Sequence, residues 1–310
     1  MKNLNELDRK LITELQVDPR KSNARLAQIL EVAEPTIARR IERLVADDEI
    51  VFTALPDIKR FGYNISAYIG LRTRQPSMSS SIAEQLCHSP YLRFVSACEG
   101  FADFFVGGDF TTTENLADFI TGYIGKINGI SHIDTMVELK QIKKRTFGLG
   151  NAILDRVSSN DTKTTIDFSD RLLILELQKD CRSSLKKLSQ KVNMSEPTVH
   201  RHIKKLMASG AITLTALATK NLYKAQDIVG VEAEPAELDN VATAIARYPQ
   251  VQFVGIYSGP VQILVGIYGA SRDEVSLFAT QELVKTEGIT RVALLSQLKV
   301  LKRGLPWIRQ

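Results

Sequence analysis

Apolar residues recur at helical spacing in a stretch that occurs twice in the chain, 162 positions apart. The apolar positions are i, i+4 and i+7 in both copies: Ile37, Ile41 and Leu44 in the first, and Val199, Ile203 and Leu206 in the second. This spacing predicts a helix that buries one face. The other positions supply candidate DNA contacts: Thr36, Arg39, Arg40 and Arg43 in the first copy, and Ser195, Thr198, His200, Arg201, His202 and Lys205 in the second. Such a helix fits a DNA groove, and it is also typical of a solvated surface helix.

Two shorter amphipathic segments precede this helix, and a strand follows it. In the first copy the segments cover residues 4–18 and 23–30, and the strand covers residues 50–55 after a polar turn. Helix, helix, short turn, helix and β wing is the order of a winged helix-turn-helix. We therefore predict three short helices and a hairpin in residues 4–55, and this order favours the DNA-binding interpretation of the third helix.

The periodicity of the chain changes after residue 66. We predict six elements in the order β-α-β-β-α-β, at residues 67–72, 82–87, 92–98, 102–107, 116–127 and 133–142. That order is the ferredoxin-like pattern, in which two helices pack on one face of a four-stranded antiparallel sheet.

The whole arrangement then repeats. Residues 8–20 align with residues 170–182 at the offset of 162, and the second sheet domain aligns with the first at an offset of 159. We place the loss of three residues in the connector after the wing. The predicted fold is α+β, with two winged helix-turn-helix domains alternating with two ferredoxin-like βαββαβ domains. The predicted boundaries are 1–60 and 167–222 for the former, 61–150 and 223–310 for the latter, and 151–166 for a polar linker.

Composition adds modest constraints. The 310 residues carry a net charge of +5, a weak preference for a polyanionic partner. No apolar run approaches the ~20 residues that span a bilayer, and the first residues have no apolar segment like that of a signal peptide. The cysteines, Cys87, Cys98 and Cys181, are not paired at metal-ligand spacing. We expect a cytoplasmic protein with reduced thiols, no membrane partner, no metal and no cofactor.

Several short motifs, in this order and repeated, resemble those of the leucine-responsive/asparagine regulator (Lrp/AsnC) family. They are Leu7-Asp8 through Leu15-Gln16, Arg20 and Arg182, Leu26-Ala27, Arg39-Arg40-Ile41-x-x-Leu44, and Gly100-x-x-Asp103. The resemblance implies a transcription regulator that joins a winged helix-turn-helix to a ferredoxin-like effector domain. It also implies double-stranded DNA as a partner, a small-molecule effector such as an amino acid, and homo-oligomers, here a dimer or tetramer of the chain.

The two copies depart from the family pattern in different ways. Ser195 supplies the small polar cap of the recognition helix in the second copy, but Ala33 occupies that position in the first and cannot cap it. The glycine before the wing is kept as Gly210 in the second copy only. The two halves therefore need not do the same job.

Charge also differs between the two predicted DNA-binding heads. Residues 2–55 hold nine Lys/Arg and ten Asp/Glu, whereas residues 165–220 hold ten and five. Because cationic side chains neutralise phosphates, our hypothesis is that the second head supplies more of the salt-sensitive affinity. We also expect the two sheet domains to pair within the chain, so that two heads read unlike half-sites about 10 base pairs apart or a multiple of that. The alternative is that one head is a structural relic.

The resemblance implies an effector site where sheet domains meet. The candidate residues lie in the turn between two strands of each copy: Gly100, Ala102 and Asp103 in the first, and Gly259 and Gln262 in the second. Backbone N–H groups and a carboxylate there could meet an amino acid. The alternative is that Gly100 only permits the turn and that Asp103 only satisfies a local backbone group.

Catalysis is the competing class of function. A branch of the same architecture decarboxylates a sirohaem-type tetrapyrrole, which should require His and Arg in a cleft of the sheet domains. The sheet domains contain two histidines, His88 and His132, and no nucleophile–base pair is evident. His200 and His202 are two residues apart on a helix and point in different directions, so they do not form a metal site. We expect that the chain is not an enzyme; a pure assembly module is a third possibility.

Overall fold

The computed structural model describes residues 4–144, 166–218 and 225–303. The predicted linker lies outside these ranges except for its last residue, and the predicted domain boundaries stay predictions. Among the described residues, no helix is long and apolar enough to cross a membrane. The chain forms two compact units, one holding residues 4–61 with 166–218 and the other holding residues 62–144 with 225–303.

Both copies contain the predicted elements in the predicted order. The first copy consists of α1 (Glu6–Val17), α2 (Asn23–Leu30), α3 (Glu34–Ala46), β1 (Ile50–Pro56), β2 (Ile65–Thr73), α4 (Ser79–His88), β3 (Leu92–Gly100), β4 (Phe104–Phe110), α5 (Thr113–Asp118) and β5 (Ile130–Lys144). The second consists of α6 (Phe168–Lys179), α7 (Leu185–Val192), α8 (Glu196–Ala208), β6 (Ile212–Ala218), β7 (Ala225–Ala233), α9 (Leu238–Ala246), β8 (Val251–Ser258), β9 (Ile263–Gly269), α10 (Arg272–Leu277) and β10 (Ile289–Arg303).

Side-chain hydrogen bonds cap the start of each helix of the first unit except α3. Asn5 and Asp8 form a capping box at α1, and Asp167 and Asp170 form the same box at α6. At the recognition helices the copies differ as the sequence predicts. The Ser195 hydroxyl accepts the Thr198 N–H at α8, whereas Ala33 leaves α3 without a side-chain cap.

The wing of each copy is completed by the other copy. β1 pairs antiparallel with β6 over seven residues, and Thr53 is the register partner of Thr215. The predicted hairpin in residues 4–55 is therefore wrong, because the strand that follows the recognition helix takes its partner from the other half of the chain. The polar turn before β1 places Asp48 at φ +51°, the left-handed conformation that Gly210 adopts before β6 at φ +73°.

The second unit is a closed eight-stranded barrel in the order β10-β3-β4-β2-β5-β8-β9-β7. Each copy contributes four strands with ferredoxin-like connections, and the pairs β5–β8 and β10–β3 join the copies. The expected pairing of the two sheet domains within the chain is thus present. In each copy an apolar core lies between the helices and the strands. A further apolar core contains residues of both copies.

The alignment of the copies shifts in two steps rather than one. Thr73 is the register partner of Ile130, and Ala233 is that of Ile289, so β2 and β7 are offset by 160 while the later elements are offset by 159. Two of the three missing residues are lost before β2, and the third is lost after it. Our placement of the whole loss in the connector after the wing is wrong.

The long helix predicted at residues 116–127 is interrupted, and so is its counterpart in the second copy. α5 and α10 each continue into a π-helical turn, Phe119–Tyr123 and Phe278–Glu282, and then a short 3-10 turn. A π turn brings residues i and i+5 to one side. Phe119 and Ile124 are both buried, as are their counterparts Phe278 and Leu283, which explains why both copies use the same interruption.

Candidate nucleic-acid interface and effector turn

A buried carboxylate in α1 holds the recognition helix α3. Asp8 is 1% exposed, and its two oxygens each lie 2.7 Å from a guanidinium nitrogen, Arg40 Nη1 and Arg43 Nη2. Arg40 also donates to Asn5 Oδ1 at 3.3 Å. Two predicted DNA contacts are therefore engaged with α1, and the face of α3 available for base edges is narrower than the sequence indicates.

The protonation of Asp8 reflects these bonds. Burial by itself would raise the pKa of Asp8, but the hydrogen bonds from both arginines and from the Asn5 backbone outweigh it. The pKa of Asp8 therefore lies below its ordinary value, and the carboxylate is charged at neutral pH.

The second copy has an equivalent buried carboxylate with different partners; we call Asp8 and Asp170 the anchors of the two recognition helices. Asp170 has no exposed side-chain surface, and its oxygens lie 2.7 Å from His202 Nδ1 and 3.5 Å from Lys205 Nζ. His202 and Lys205 occupy the positions of Arg40 and Arg43. An imidazole and a flexible ammonium group thus replace two guanidinium groups.

The remaining candidates are distributed between capping and exposed positions. Ser195 caps α8 and contacts the Thr198 hydroxyl at 2.8 Å. The structure places the others at the helix starts or on the outer face: Thr36, Arg39, His200 and Arg201. Sequence reasoning missed Glu42 and Lys204, which are exposed three residues beyond Arg39 and Arg201. Helical spacing could have found them, because i and i+3 share a face.

The two heads also differ in charge at the helix-turn-helix itself. Residues 23–46 hold four Lys/Arg and three Asp/Glu, and two of those arginines are bonded to Asp8. Residues 185–208 hold six Lys/Arg and one Asp/Glu. Three of these cations, Lys186, Lys187 and Lys191, lie on α7, so the second head presents the more cationic surface.

Arginines that precede the second helices tie one head to the other. Arg20 Nη2 donates to the Ser183 carbonyl at 2.9 Å, and Arg182 Nη2 lies 3.4 Å from Asn23 Oδ1. The Arg182 guanidinium also stands 5.0 Å from the centroid of the Phe52 ring in β1. Together with the β1–β6 pairing, these contacts fix the two heads in one unit.

The glycines of the predicted effector turns permit a close approach between the copies. Gly100 has φ +133°, and a Cβ there would lie 2.3 Å from the Leu294 carbonyl oxygen of β10. Gly259 has φ +131°, and its Cβ would lie 2.6 Å from the Thr135 oxygen of β5. Both positions therefore need glycine for conformation and for space.

The polar residues of these turns have local partners. Asp103 Oδ2 accepts the Thr73 N–H at 2.7 Å and the Thr73 hydroxyl at 3.0 Å, and Gln262 Oε1 accepts the Ala233 N–H at 3.0 Å. Ala102 is buried. The alternative local role is thus present in both copies, and effector contact by these residues stays a prediction.

Family models match both halves of the chain. An AsnC-type helix-turn-helix domain matches residues 4–45, a winged helix-turn-helix DNA-binding domain matches 167–213, and the Lrp/AsnC ligand binding domain matches 66–147 and 226–307. The chain belongs to the Lrp/AsnC family. The predicted family, the α+β fold class and the DNA-binding regulator class are confirmed by these matches and by curated relatives.

The relatives of this Lrp/AsnC protein are about half its length. The uncharacterized HTH-type transcriptional regulator PH0140 of Pyrococcus horikoshii is 29% identical over 142 residues, which are 44% of this chain and 90% of the relative. The HTH-type transcriptional regulator FL11 of Pyrococcus furiosus is 32% identical over 144 residues, 46% of this chain and 94% of the relative. One relative therefore corresponds to one copy.

A solved structure shares the duplicated architecture. The crystal structure of the siroheme decarboxylase NirDL aligns with a TM-score of 0.69 and 16% identity, and the match covers 97% of this chain and 93% of that chain. The likeness is one of fold. It nevertheless contradicts the expectation that this Lrp/AsnC protein is not an enzyme, because the solved chain that shares its whole arrangement of domains is an enzyme. That expectation was wrong.

The histidines and thiols of the Lrp/AsnC sheet domains have ordinary surroundings. His88 Nδ1 contacts the Glu84 carbonyl at 2.8 Å, and His132 Nε2 contacts Asp134 Oδ1 at 3.0 Å. Burial raises the pKa of Cys98 to about 11, so this thiol stays protonated at neutral pH. Within the described ranges, His, Cys, Asp and Glu form no group of three suited to a metal ion.

Proposed function

We propose that this Lrp/AsnC protein regulates transcription by binding a two-part operator with both heads of a single chain. In the family two identical chains pair through their sheet domains. Here one chain contains both partners: the barrel joins the two sheet domains, and the β1–β6 pairing joins the two helix-turn-helix domains. The observation that carries the proposal is the pairing of two helix-turn-helix domains through equivalent wing strands, with Thr53 opposite Thr215.

Paired heads impose a spacing on the operator. Dimeric helix-turn-helix proteins place their recognition helices in major grooves one helical turn apart, about 10 base pairs, or a multiple of it. Because the heads differ in cap, anchor and exposed charge, we expect two unlike half-sites rather than a palindrome.

The test is a binding selection from genome fragments followed by footprinting of the best site. We expect a protected region of about two helical turns with unlike halves. The Arg39→Ala and Arg201→Ala proteins, which lose one arginine at the equivalent position of each head, should each weaken protection in one half. Failure to enrich any fragment at low salt, with candidate amino acids present, would refute the proposal.

We further propose that the second head contributes more of the salt dependence. Replacing Lys186, Lys187 and Lys191 by Gln on α7 should reduce the slope of log affinity against log salt by up to about 0.9 per lost phosphate contact. Arg25→Gln is the matched change on α2, where Arg25 is the sole Lys/Arg of that helix. An unchanged slope in the α7 variant would contradict this assignment.

We propose an amino acid as the effector, a dimer or tetramer of the chain as its assembly, and the cytoplasm as its compartment. The family match to a ligand binding domain in both copies supports a small-molecule effector. The proposed binding of DNA supports the cytoplasm as the compartment. Light scattering with and without each of the twenty amino acids, paired with the footprint, tests effector and assembly together; no change with any of them would refute an amino-acid effector.

Tetrapyrrole decarboxylation is the second candidate function, favoured by the full-length fold likeness to NirDL. The reaction replaces a carboxylate by a proton and releases carbon dioxide, so hydrogen-bond donors near the carboxylate would bind it. Arg72 and His132 are exposed register partners on β2 and β5, and both side chains can donate N–H groups, so they are our candidates for that role.

An absorbance titration with siroheme separates the two functions. A spectral shift that is lost in the Arg72→Ala and His132→Ala proteins, with carbon dioxide released under turnover, would support the decarboxylase. No shift, together with a specific footprint, would leave the regulator as the function.

A further inference from the structure

We infer that two positions on each recognition helix make the heads prefer different bases: Ala38 and Glu42 on α3, and His200 and Lys204 on α8. This inference rests on the proposed binding of DNA by both heads. The two pairs are equivalent, since each is separated by the offset of 162.

The anchors narrow the choice of residues. Asp8 engages Arg40 and Arg43 at 2.7 Å, and Asp170 engages His202 at 2.7 Å. These side chains are bonded to the first helix of their own head. They position the recognition helix, and they are less available for base edges than their sequence positions indicate.

The outward face that remains has a shared part and a divergent part. Thr36 and Arg39 match Thr198 and Arg201, so the shared part gives both half-sites a common element. Ala38 is half-buried, while Glu42, His200 and Lys204 are exposed. Within each helix the two divergent positions are four residues apart and therefore lie on one stripe. That stripe is acidic in the first head and cationic in the second.

The chemistry of the stripes points to different bases. A glutamate accepts a hydrogen bond from the cytosine amino group, and an alanine methyl contacts the thymine methyl. A lysine donates to guanine O6 and N7, and a neutral or charged imidazole can donate there as well. We therefore expect the two half-sites to differ at the base pairs that these side chains contact. On the same strand of each half-site, the first head should prefer a pyrimidine and the second head should prefer guanine.

The experiment converts one stripe into the other in the full-length chain. Ala38→His with Glu42→Lys gives the first head the cationic stripe, and His200→Ala with Lys204→Glu does the reverse in the second head. Selection from random duplexes should return unlike half-sites for the unmodified protein and like half-sites for each converted protein. The preference at the affected base pairs should change about tenfold or more, the effect of a good side-chain–base pair.

A charge-matched control separates base reading from phosphate attraction. Glu6 is exposed on α1 and, like Glu42, changes the head by two charges when replaced by Lys. Glu6→Lys should change the salt dependence and leave the selected sequence as it was. If the converted proteins bind DNA with the original unlike half-sites, the inference is wrong. If the unmodified protein selects no sequence at all, the proposed function itself has failed.

Circular dichroism and the salt slope of each converted protein complete the test. A converted protein that folds, binds and shows only the salt change of the Glu6→Lys control would assign the stripe to phosphate contacts, and it would overturn the inference. Exposed positions 42, 200 and 204 should tolerate the substitutions, since surface changes usually stay within about 0.5 kcal/mol.

Discussion

Thr53 and Thr215 face each other across the two wing strands, and they occupy the same position of the two copies. The Thr53 hydroxyl donates to the Gln178 carbonyl at 2.8 Å, and the Thr215 hydroxyl donates to the Gln16 carbonyl at 3.0 Å. Gln16 and Gln178 are themselves equivalent. A local two-fold axis therefore passes between the threonines, and each copy's wing is bonded to the end of the other copy's first helix.

Removing one of these hydroxyls should weaken the pairing of the heads. Thr53→Val or Thr215→Val removes a buried hydrogen bond to a backbone carbonyl, which should lower the free energy of unfolding of this unit by about 1–3 kcal/mol. Urea denaturation, with hydrogen exchange on β1 and β6, measures the effect. Thr121→Val is the control, since its exposed hydroxyl donates to the Ala117 carbonyl one turn earlier and its loss should change stability by less than about 0.5 kcal/mol.

The first head should depend on pH through Asp8. A carboxyl whose pKa is lower in the folded state stabilises that state above its unfolded pKa, and this contribution is lost as the pH falls through the folded value. The stability of the first head should therefore fall below about pH 4, and Asp8→Asn should abolish that part of the dependence. The Asp8→Asn protein should also be less stable at pH 7 by about 1–3 kcal/mol.

Hydrogen exchange of α1 and α3 between pH 3 and pH 7 measures the Asp8 effect locally. Glu84→Gln, an exposed carboxyl on α4, is the control and should leave the profile of α1 and α3 unchanged. A protein with Asp8→Asn that retains the full acid dependence of α3 would contradict the anchor.

The turn glycines should not tolerate a side chain. Gly100→Ala and Gly259→Ala combine a positive φ with a Cβ that would meet the backbone oxygen of the other copy at 2.3 and 2.6 Å. We expect a loss on the order of 3 kcal/mol in each, because both strain and steric overlap must be relieved. Gly122→Ala, with nothing within 4 Å of the new Cβ, should change stability by less than about 1 kcal/mol. Thermal unfolding of the three proteins provides the comparison.

The two recognition helices should respond in opposite directions to changes at the cap. Ala33→Ser should stabilise α3 and Ser195→Ala should destabilise α8, each by about 1 kcal/mol, because a serine hydroxyl accepts a free N–H of the first turn. Footprints of the two variants show whether helix stability limits binding. Equal occupancy of the first half-site by the unmodified protein and by the Ala33→Ser protein would mean that the missing cap has no effect on DNA binding.

The sequence by itself determined the repeat, the elements and most of the candidate residues. Ile37, Ile41 and Leu44 are spaced for one helical face, and all three are buried as that spacing predicts. Ala33 and Ser195 differ in capping as their side chains dictate. These features depend on neighbours within a few residues, so local periodicity and local hydrogen bonding encode them.

Only the tertiary structure decided which strands meet and which cations are engaged. The sequence of β1 does not show whether this strand forms a local hairpin or pairs with β6. The strand pairs that close the barrel, β5–β8 and β10–β3, likewise join residues more than a hundred positions apart. Asp8 reads as a helix-start residue until the fold brings Arg40 and Arg43 to it. The physical reason is that the backbone N–H and C=O groups of a strand, and a buried charged side chain, need bonding partners. The residues next to them in the sequence do not specify which distant residues those partners are.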